Sequence, residues 1–191
     1  MRNNFLNIFF LFFIFLNFSV SAEELEINSS KIQYDDFNKV TIFEGSVNSV
    51  DSKGNKIFSE YAKYNKIDGI IETRGDTKII TAGGYEAIGK DVILDNKKKL
   101  IYSNYKTQIK DKDGNKIIVD MFNYSILTNI FFSKGNIKVV DKSNNIYNFS
   151  EIYVDEKKKK ILGSDAKAFL KSDDISTGDN DPRLFANTMN L

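Results

Sequence analysis

The residues of this chain that could do chemistry are carboxylates and lysines, because its 191 residues include no histidine and no cysteine. Without these two residue types the chain has no thiol nucleophile, no disulfide, no Cys/His metal site and no triad with a histidine base. Asp111 and Asp113, followed by Gly114, begin like a calcium-binding loop. The other ligands of an EF-hand are missing, so we interpret this segment as a turn.

Paired carboxylates could still serve a glycosidase. The acidic residues fall mostly at turn sequences and on the polar side of the predicted strands, so they do not converge in one pocket. We therefore expect no enzymatic activity, no cofactor and no bound metal.

Positive and negative charges are balanced, with 27 Lys and Arg against 26 Asp and Glu, a formal net charge of +1. No basic field is available to attract nucleic acid, so we expect no nucleic-acid partner. Two lysine runs, 97–99 and 157–160, could grip the phosphates of a lipid head group. A lysine run at a turn is more typically solvated, and we interpret both runs in that way.

The first 22 residues are typical of a secretory signal peptide. Arg2 precedes an almost wholly apolar stretch from Phe5 to Phe18, and Val20-Ser21-Ala22 resembles a signal peptidase site. We predict cleavage after Ala22 and a location in the periplasm, at the outer membrane. A retained membrane anchor is the alternative, because the apolar stretch is long for a signal. A lipoprotein anchor is excluded, since no cysteine follows the apolar stretch.

The rest of the sequence repeats with a period of thirty residues. The columns are Gly45, Gly75 and Gly135 with Tyr105 in the remaining slot; Gly54, Gly84 and Gly114; and Val40, Ile70, Leu100 and Ile130. Ile161, the next member of the last column, comes one residue late, which suggests an insertion in the lysine run before it. A period of this size is typical of stacked repeats.

Alternating apolar and polar residues between turn sequences predict two half-buried antiparallel strands in each repeat. Two strands cannot bury an apolar face alone, so the repeats must stack on one another. The sequence therefore predicts an all-β fold, a rolled antiparallel β-jellyroll of about five thirty-residue repeats over residues 23–171. A polar linker and the start of a following segment are expected at 172–191.

One short unit recurs within this pattern: an apolar residue, a glycine and a second apolar residue, then a glycine turn and a return strand. It appears as Phe43-Glu44-Gly45-Ser46-Val47 with Gly54 and Ala62-Lys63-Tyr64, and again as Phe132 to Ile137 after Phe122-Asn123-Tyr124. In these residues the chain resembles the OstA/LptA-like jellyroll family of lipopolysaccharide transport, over about residues 24–171.

The segment Asp181 to Met189 resembles the junction that follows the N-terminal periplasmic domain in LptD-type assembly proteins, also known as organic solvent tolerance proteins. The large barrel and the cysteines of that family are absent from this sequence. Two alternatives stay open: a free-standing LptA-like bridge protein, and a structural β-repeat module such as an adhesin or scaffold.

The resemblance implies a conduit that hands lipopolysaccharide to the outer membrane for assembly, with acyl chains held in an apolar groove. The implied partners are lipopolysaccharide, other Lpt-type jellyroll proteins that pair through edge strands, and an outer-membrane lipoprotein if a barrel follows.

Alternation predicts the residues that line the groove: Phe43, Val47, Phe58, Ala62, Tyr64, Val92, Leu94, Tyr105, Ile118, Phe122, Tyr124, Phe131, Ile137 and Val139. The first and last strands are the predicted docking edges, with Ile27, Ile32, Tyr34, Ala168 and Leu170.

Overall fold

The structure, a computed structural model, describes residues 25–155, 157–158, 160–171 and 182–190. The predicted signal peptide and the polar linker at 172–181 lie outside the described residues. None of the described segments forms a helix that is long and apolar enough to cross a membrane.

Sixteen strands make up the described part of the chain. They are β1 (Glu26–Asn28), β2 (Lys31–Asp35), β3 (Val40–Val50), β4 (Lys56–Asn65), β5 (Ile70–Thr73), β6 (Asp76–Ile80), β7 (Glu86–Lys90), β8 (Ile93–Asp95), β9 (Leu100–Ser103), β10 (Thr107–Lys110), β11 (Lys116–Val119), β12 (Phe122–Ser125), β13 (Ile130–Val140), β14 (Ile146–Asp155), β15 (Lys160–Phe169) and β16 (Arg183–Asn190).

The turns account for the thirty-residue period. Positive φ angles recur every thirty residues in two sets of turns: Lys39, Gly69, Lys99 and Asn129 in one, and Gly54, Gly84, Gly114 and Asn144 in the other. A side-chain oxygen at the start of most turns also holds the backbone, as where Asp95 Oδ1 accepts the N–H groups of Lys97 and Lys98 at 3.1 and 2.9 Å. Side-chain capping of this kind stabilises a turn locally, so the sequence specifies these positions without tertiary help.

The lysine run before Ile161 contains no insertion. Asp155 pairs with Lys160 across the turn, as Asp95 pairs with Leu100 and Ser125 with Ile130. Lys160 therefore occupies the column position, and the inference of an extra residue in this turn is wrong. The sequence suggested an insertion because Lys160 occupies a position where the equivalent turns have an apolar residue.

The sheet divides into two branches between β4 and β13. Branch one runs β4, β5, β8, β9, β12, β13, and branch two runs β4, β6, β7, β10, β11, β13. The long strands β4 and β13 belong to both branches, since opposite halves of each pair with different neighbours. Beyond β4, the long strand β3 pairs with β1 through one half and with β2 through the other. Beyond β13 the sheet continues through β14 and β15 to β16.

The chain passes from one branch to the other through a sharp corner. In β3 and β13 the corner is a β-bulge, with a register shift around Gly45 (φ 74°) and around Gly135 (φ 110°). Between β5 and β6 it interrupts the strand at Gly75 (φ 75°). Bulges and positive-φ glycines bend a strand sharply, so the first glycine column of the sequence marks the corners.

Short hydroxyl side chains are buried next to these corners. Thr73, Ser103 and Ser133, each thirty residues apart, are at most 5% exposed. Ser103 Oγ donates to the carbonyl of Lys90 at 2.6 Å, and Ser133 Oγ donates to the carbonyl of Met121 at 2.7 Å. A buried backbone group left unpaired costs about 1–3 kcal/mol, so these hydroxyls make the interruption of the ladder tolerable.

The two branches face each other across a shared core. The larger cluster contains Ile79, Val92, Val119, Phe122, Ile137, Phe149, Ile152 and Ala166. Ile79 and Val119 come from branch two and Phe122 from branch one, so the branches form two facing layers. A smaller cluster of Phe43, Val47, Ala62, Ile71 and Leu94 lies at the N-terminal end. The predicted all-β, antiparallel, jellyroll-type fold is confirmed.

Gly163 in β15 tests this packing, because a Cβ atom there would overlap the ring of the core residue Phe149. We expect Gly163→Ala to lower the free energy of unfolding by about 1–3 kcal/mol, as overpacking does. Urea unfolding measures this. The control is Gly83→Ala, where the nearest atom would be 3.7 Å away and the change should stay within about 0.5 kcal/mol. Equal stability of the two variants would contradict the packing of Phe149 against β15.

Candidate functional site

A cavity of about 630 Å³ lies between the two branches. Its walls are apolar, with Ile57 and Ile79 from branch two and Leu94, Ile101 and Tyr124 from branch one. The polar lining residues come from the strand ends and turns, and they are Ser49, Asp51, Lys53, Asn55, Thr81, Asn96, Lys99 and Asn129. Apolar walls with polar groups at the entrance suit an amphipathic ligand.

A narrower cavity of about 90 Å³ continues the first toward the C-terminal strands. Its lining is almost wholly apolar: Ile79, Thr81, Tyr85, Ala87, Ile101, Ile109, Ile117, Phe122, Tyr124, Phe131 and Val154. Five of these residues, namely Ile79, Thr81, Tyr85, Ile101 and Tyr124, also line the larger cavity. The two cavities are therefore parts of one tapered space, which we call the groove.

The groove narrows because large side chains fill the interior on the C-terminal side. The rings of Phe122 and Phe131 stack with centroids 6.2 Å apart. Phe149 and Ile152 are 6% and 1% exposed in the same cluster. The lining of the wide end includes small residues such as Ser49, Ala82 and Gly83.

Most residues predicted to line the groove lie on the inner faces of the branches. Phe43, Val47, Ala62, Tyr64, Val92, Leu94, Phe122, Tyr124, Phe131, Ile137 and Val139 belong to the two core clusters or pack on them. Of these, Leu94, Phe122, Tyr124 and Phe131 line the groove itself. The others build the core around it, and ligand contact by any of them stays a prediction.

The predicted inward orientation is wrong for Phe58, Ile118 and Tyr105. Phe58 lines a separate surface depression together with Glu60 and Ile88, on the outer face of branch two. Ile118 also points outward, because its neighbours Ile117 and Val119 belong to the core and successive side chains of a strand alternate. Tyr105 is 51% exposed in the corner between β9 and β10.

The corner explains these errors. In the return strands the corner shifts the alternation, so the inner face includes Ile57 before the corner of β4 and Ala62 after it. If every second residue of β4 is counted back from Ala62 without a shift at the corner, the count assigns Phe58 to the inner face instead of Ile57. The sequence contained a usable signal, since Ile57, Ala87, Ile117 and Tyr147 form a thirty-residue column and all four pack on the core.

Other residues that line the groove were also absent from the predicted set. Ile79, Ile101 and Tyr85 contact both parts of the groove, and Leu25 lines its wide end. Ile79 and Ile101 stand on strands with clear alternation, so a column analysis could have found them. Tyr85 stands in a turn, where alternation predicts nothing.

The N-terminal edge of the sheet carries the residues predicted to dock. Strand β2 pairs with β3 on one side, and all five of its residues are exposed. Ile32 and Tyr34 are 57% and 59% exposed in this strand. Ile27 in β1 packs instead on the smaller core cluster.

The C-terminal edge differs from the prediction. Ala168 is 1% exposed in β15, which pairs with β14 on one side and with β16 on the other. The backbone N–H of Leu170 donates to the carbonyl of Pro182 at 3.0 Å. Ala168 and Leu170 are therefore not at the edge. The sheet extends past residue 171, and β16, from the segment expected to begin a following unit, forms the edge.

The lysine runs pair with the carboxylates of their own turns. Lys98 Nζ lies 3.3 Å from Asp95 Oδ2, and Lys158 Nζ lies 3.1 Å from Asp155 Oδ2. Hydrogen bonds from the backbone N–H and then the side chain of each lysine hold the pKa of its carboxylate below the usual range. The stability that these bonds add is present at neutral pH and is lost as the pH falls through the lowered pKa.

The segment from Asp111 to Gly114 is a turn, as interpreted from the sequence. Asp111 Oδ1 accepts the backbone N–H groups of Asp113 and Asn115, both at 2.9 Å. Among the residues that the structure describes, no group of three or more acidic side chains could hold a metal ion.

No protein-family model matches the sequence, and no curated protein matches it. Among solved structures, the chain is similar to the crystal structure of LptH, the LptA homologous periplasmic component of the conserved lipopolysaccharide transport device from Pseudomonas aeruginosa. The two are 12% identical, the match covers 86% of this chain and 94% of that chain, and the TM-score is 0.33. A similarity this low supports no inference about function.

Ile117 and Ile118 give a direct test of which face lines the groove. Ile117→Asp would place a carboxylate against the apolar core, and we expect it to lower the free energy of unfolding by about 1–3 kcal/mol or more. Ile118→Asp is the matched control one residue away, on the outer face, and should cost less than about 1 kcal/mol. Thermal and urea unfolding measure both. A larger loss for Ile118→Asp would reverse the face assignment.

Proposed function

We propose that this chain is a periplasmic carrier that holds the acyl chains of lipopolysaccharide in the groove, with the head group at its polar entrance. The observation that carries this proposal is the groove itself, which has apolar walls from both branches and polar turn residues at its rim. Lipid binding by such a site requires apolar area and no reacting group.

The energetics favour a long hydrocarbon ligand. Each buried methylene contributes roughly 0.8 kcal/mol, so an acyl chain can be held firmly without a dedicated polar site. A purely structural β-repeat module would instead fill its interior with side chains, as the C-terminal end of this chain does.

The lipid class and the compartment rest on the sequence. The resemblance to the OstA/LptA-like family supports lipopolysaccharide as the ligand, and the predicted signal peptide supports the periplasm. The exposed strand β2 supports edge-to-edge pairing with another jellyroll protein, which would align the grooves of successive proteins.

Two finer roles are compatible with this proposal. Delivery to the outer membrane as an LptD-type N-terminal domain, with an outer-membrane lipoprotein as a further partner, rests on the tail residues Asp181 to Met189. Most of these residues belong to β16, which pairs along β15. A strand at this position serves a free-standing bridge protein equally well, so β16 favours neither role over the other.

Lipid A binding tests the proposal at Ile101, which lines both parts of the groove and is only half-buried. We expect Ile101→Asp to weaken lipid A binding by about tenfold or more, because a carboxylate among acyl chains costs at least about 1–3 kcal/mol. Displacement of a fluorescent apolar dye measures the affinity.

The matched control is Ile88→Asp, the same substitution on the outer face at a residue that is 47% exposed. It should leave lipid A affinity within about twofold, since exposed substitutions away from a site change little. A circular dichroism melt must show both variants folded. Equal affinity of the two folded variants would refute binding in the groove.

The edge proposal predicts where a partner is captured. A photo-crosslinker at Ile32 in β2 should capture a periplasmic β-jellyroll protein, identified by mass spectrometry, because the open edge of β2 is available for pairing. Tyr105 is a control of similar exposure, 51% against 57%, in a corner of the fold. Capture of the same partner at Tyr105 and not at Ile32 would place the contact elsewhere.

A further inference from the structure

Tyr85 is the exception in a column of asparagines. The equivalent residues of the other turns in this row, at thirty-residue spacing, are Asn55, Asn115 and Asn145. The amide oxygens of these asparagines accept the backbone N–H groups of Ala82, Lys142 and Lys171, at 2.9, 3.0 and 2.8 Å respectively. Each asparagine thus connects its own turn to the next segment along the stack. At position 85 the side chain is a phenol ring that lines the groove.

The ring of Tyr85 lines both parts of the groove, the wide part of about 630 Å³ and the narrow part of about 90 Å³. It therefore lies at their junction. Tyr124 lines the same junction from branch one, and its hydroxyl accepts a hydrogen bond from Asn129 Nδ2 at 3.1 Å. Ile79 in β6 and Ile101 in β9 also line this junction, and both are strand residues. Tyr85 stands between β6 and β7, in the turn that begins at Thr81. Its ring can therefore be changed without removing a strand residue from the core.

We propose that Tyr85 determines how deeply hydrocarbon enters the groove, and therefore the length of acyl chain that the protein accommodates. This rests on the proposed function, since it concerns the same groove. The aromatic ring borders the passage between the wide part, which takes the first methylenes of a chain, and the narrow part, which reaches toward Phe122 and Phe131. Removing the ring widens this passage and lengthens the apolar path.

A series of saturated fatty acids of increasing length tests this by displacement of an apolar dye. While each added methylene is buried, affinity should rise about fourfold per methylene, and it should stop rising when the chain reaches the ring. In Tyr85→Ala we expect this plateau at a longer chain. The longest acids should bind that variant at least about tenfold more tightly than wild type, which corresponds to about two further buried methylenes.

Two further variants separate the ring from the fold. Tyr85→Phe keeps the ring and should keep the wild-type plateau. Tyr85→Asn reproduces the residue of the equivalent turns, where its amide can accept the N–H of Lys112, the residue equivalent to Ala82 and Lys142. It removes the ring, preserves the turn chemistry and should match Tyr85→Ala, so it decides the question if the alanine variant melts early.

The outcomes are distinguishable. The proposal is supported if affinity stops rising at a longer acyl chain in Tyr85→Ala and Tyr85→Asn than in wild type, while Tyr85→Phe behaves as wild type. The same plateau in wild type and in the ringless variants overturns the role of Tyr85 and leaves the groove as the lipid site. If wild type binds none of the fatty acids and no lipid A, both this inference and the proposed function are wrong.

Discussion

The corner between the two branches is the constraint on which the rest of this structure depends. A chain that builds two facing layers from strand pairs must bend at intervals, and each bend interrupts the backbone ladder in the interior. Positive φ angles at Gly45, Gly75 and Gly135 make the bend, and the hydroxyls of Ser103 and Ser133 pair carbonyl groups beside it. These features recur in successive repeats, which is why they appear in the sequence as columns spaced by thirty residues.

The groove follows from how two such layers are filled. At the C-terminal end, the rings of Phe122, Phe131 and Phe149 occupy the space between the branches. Toward the N-terminal end the space is wider, and its lining includes small residues such as Ser49 and Gly83. One architecture therefore contains both a solid core that stabilises the fold and an apolar space that can take a ligand. The same stacking leaves β1 and β2 at one edge of the sheet and β16 at the other, so the edges and the groove have a common origin.

The charged residues have a more local role. Asp95 and Asp155 bind the backbone of their own turns and attract the lysines beside them. The carboxylate of Asp120 accepts the backbone and side-chain N–H groups of Asn136 at 3.0 and 2.9 Å, which holds its pKa below the usual range and secures the corner at Gly135. These three carboxylates therefore hold the backbone of the turns and corners in place.

From the sequence by itself one could derive the all-β class, the thirty-residue period, the turns and core residues such as Phe122, because turn chemistry and apolar alternation are local properties of the chain. Only the tertiary structure decided which face of a return strand points inward beyond a corner, because the shift in alternation between Ile57 and Ala62 depends on how β4 passes from one set of neighbours to the other. It therefore placed Ile57 inside and Phe58 outside. It also placed Tyr85, a turn residue outside the alternating strands, at the junction of the groove, and it added β16 beside β15, because contacts between distant segments depend on how the layers pack.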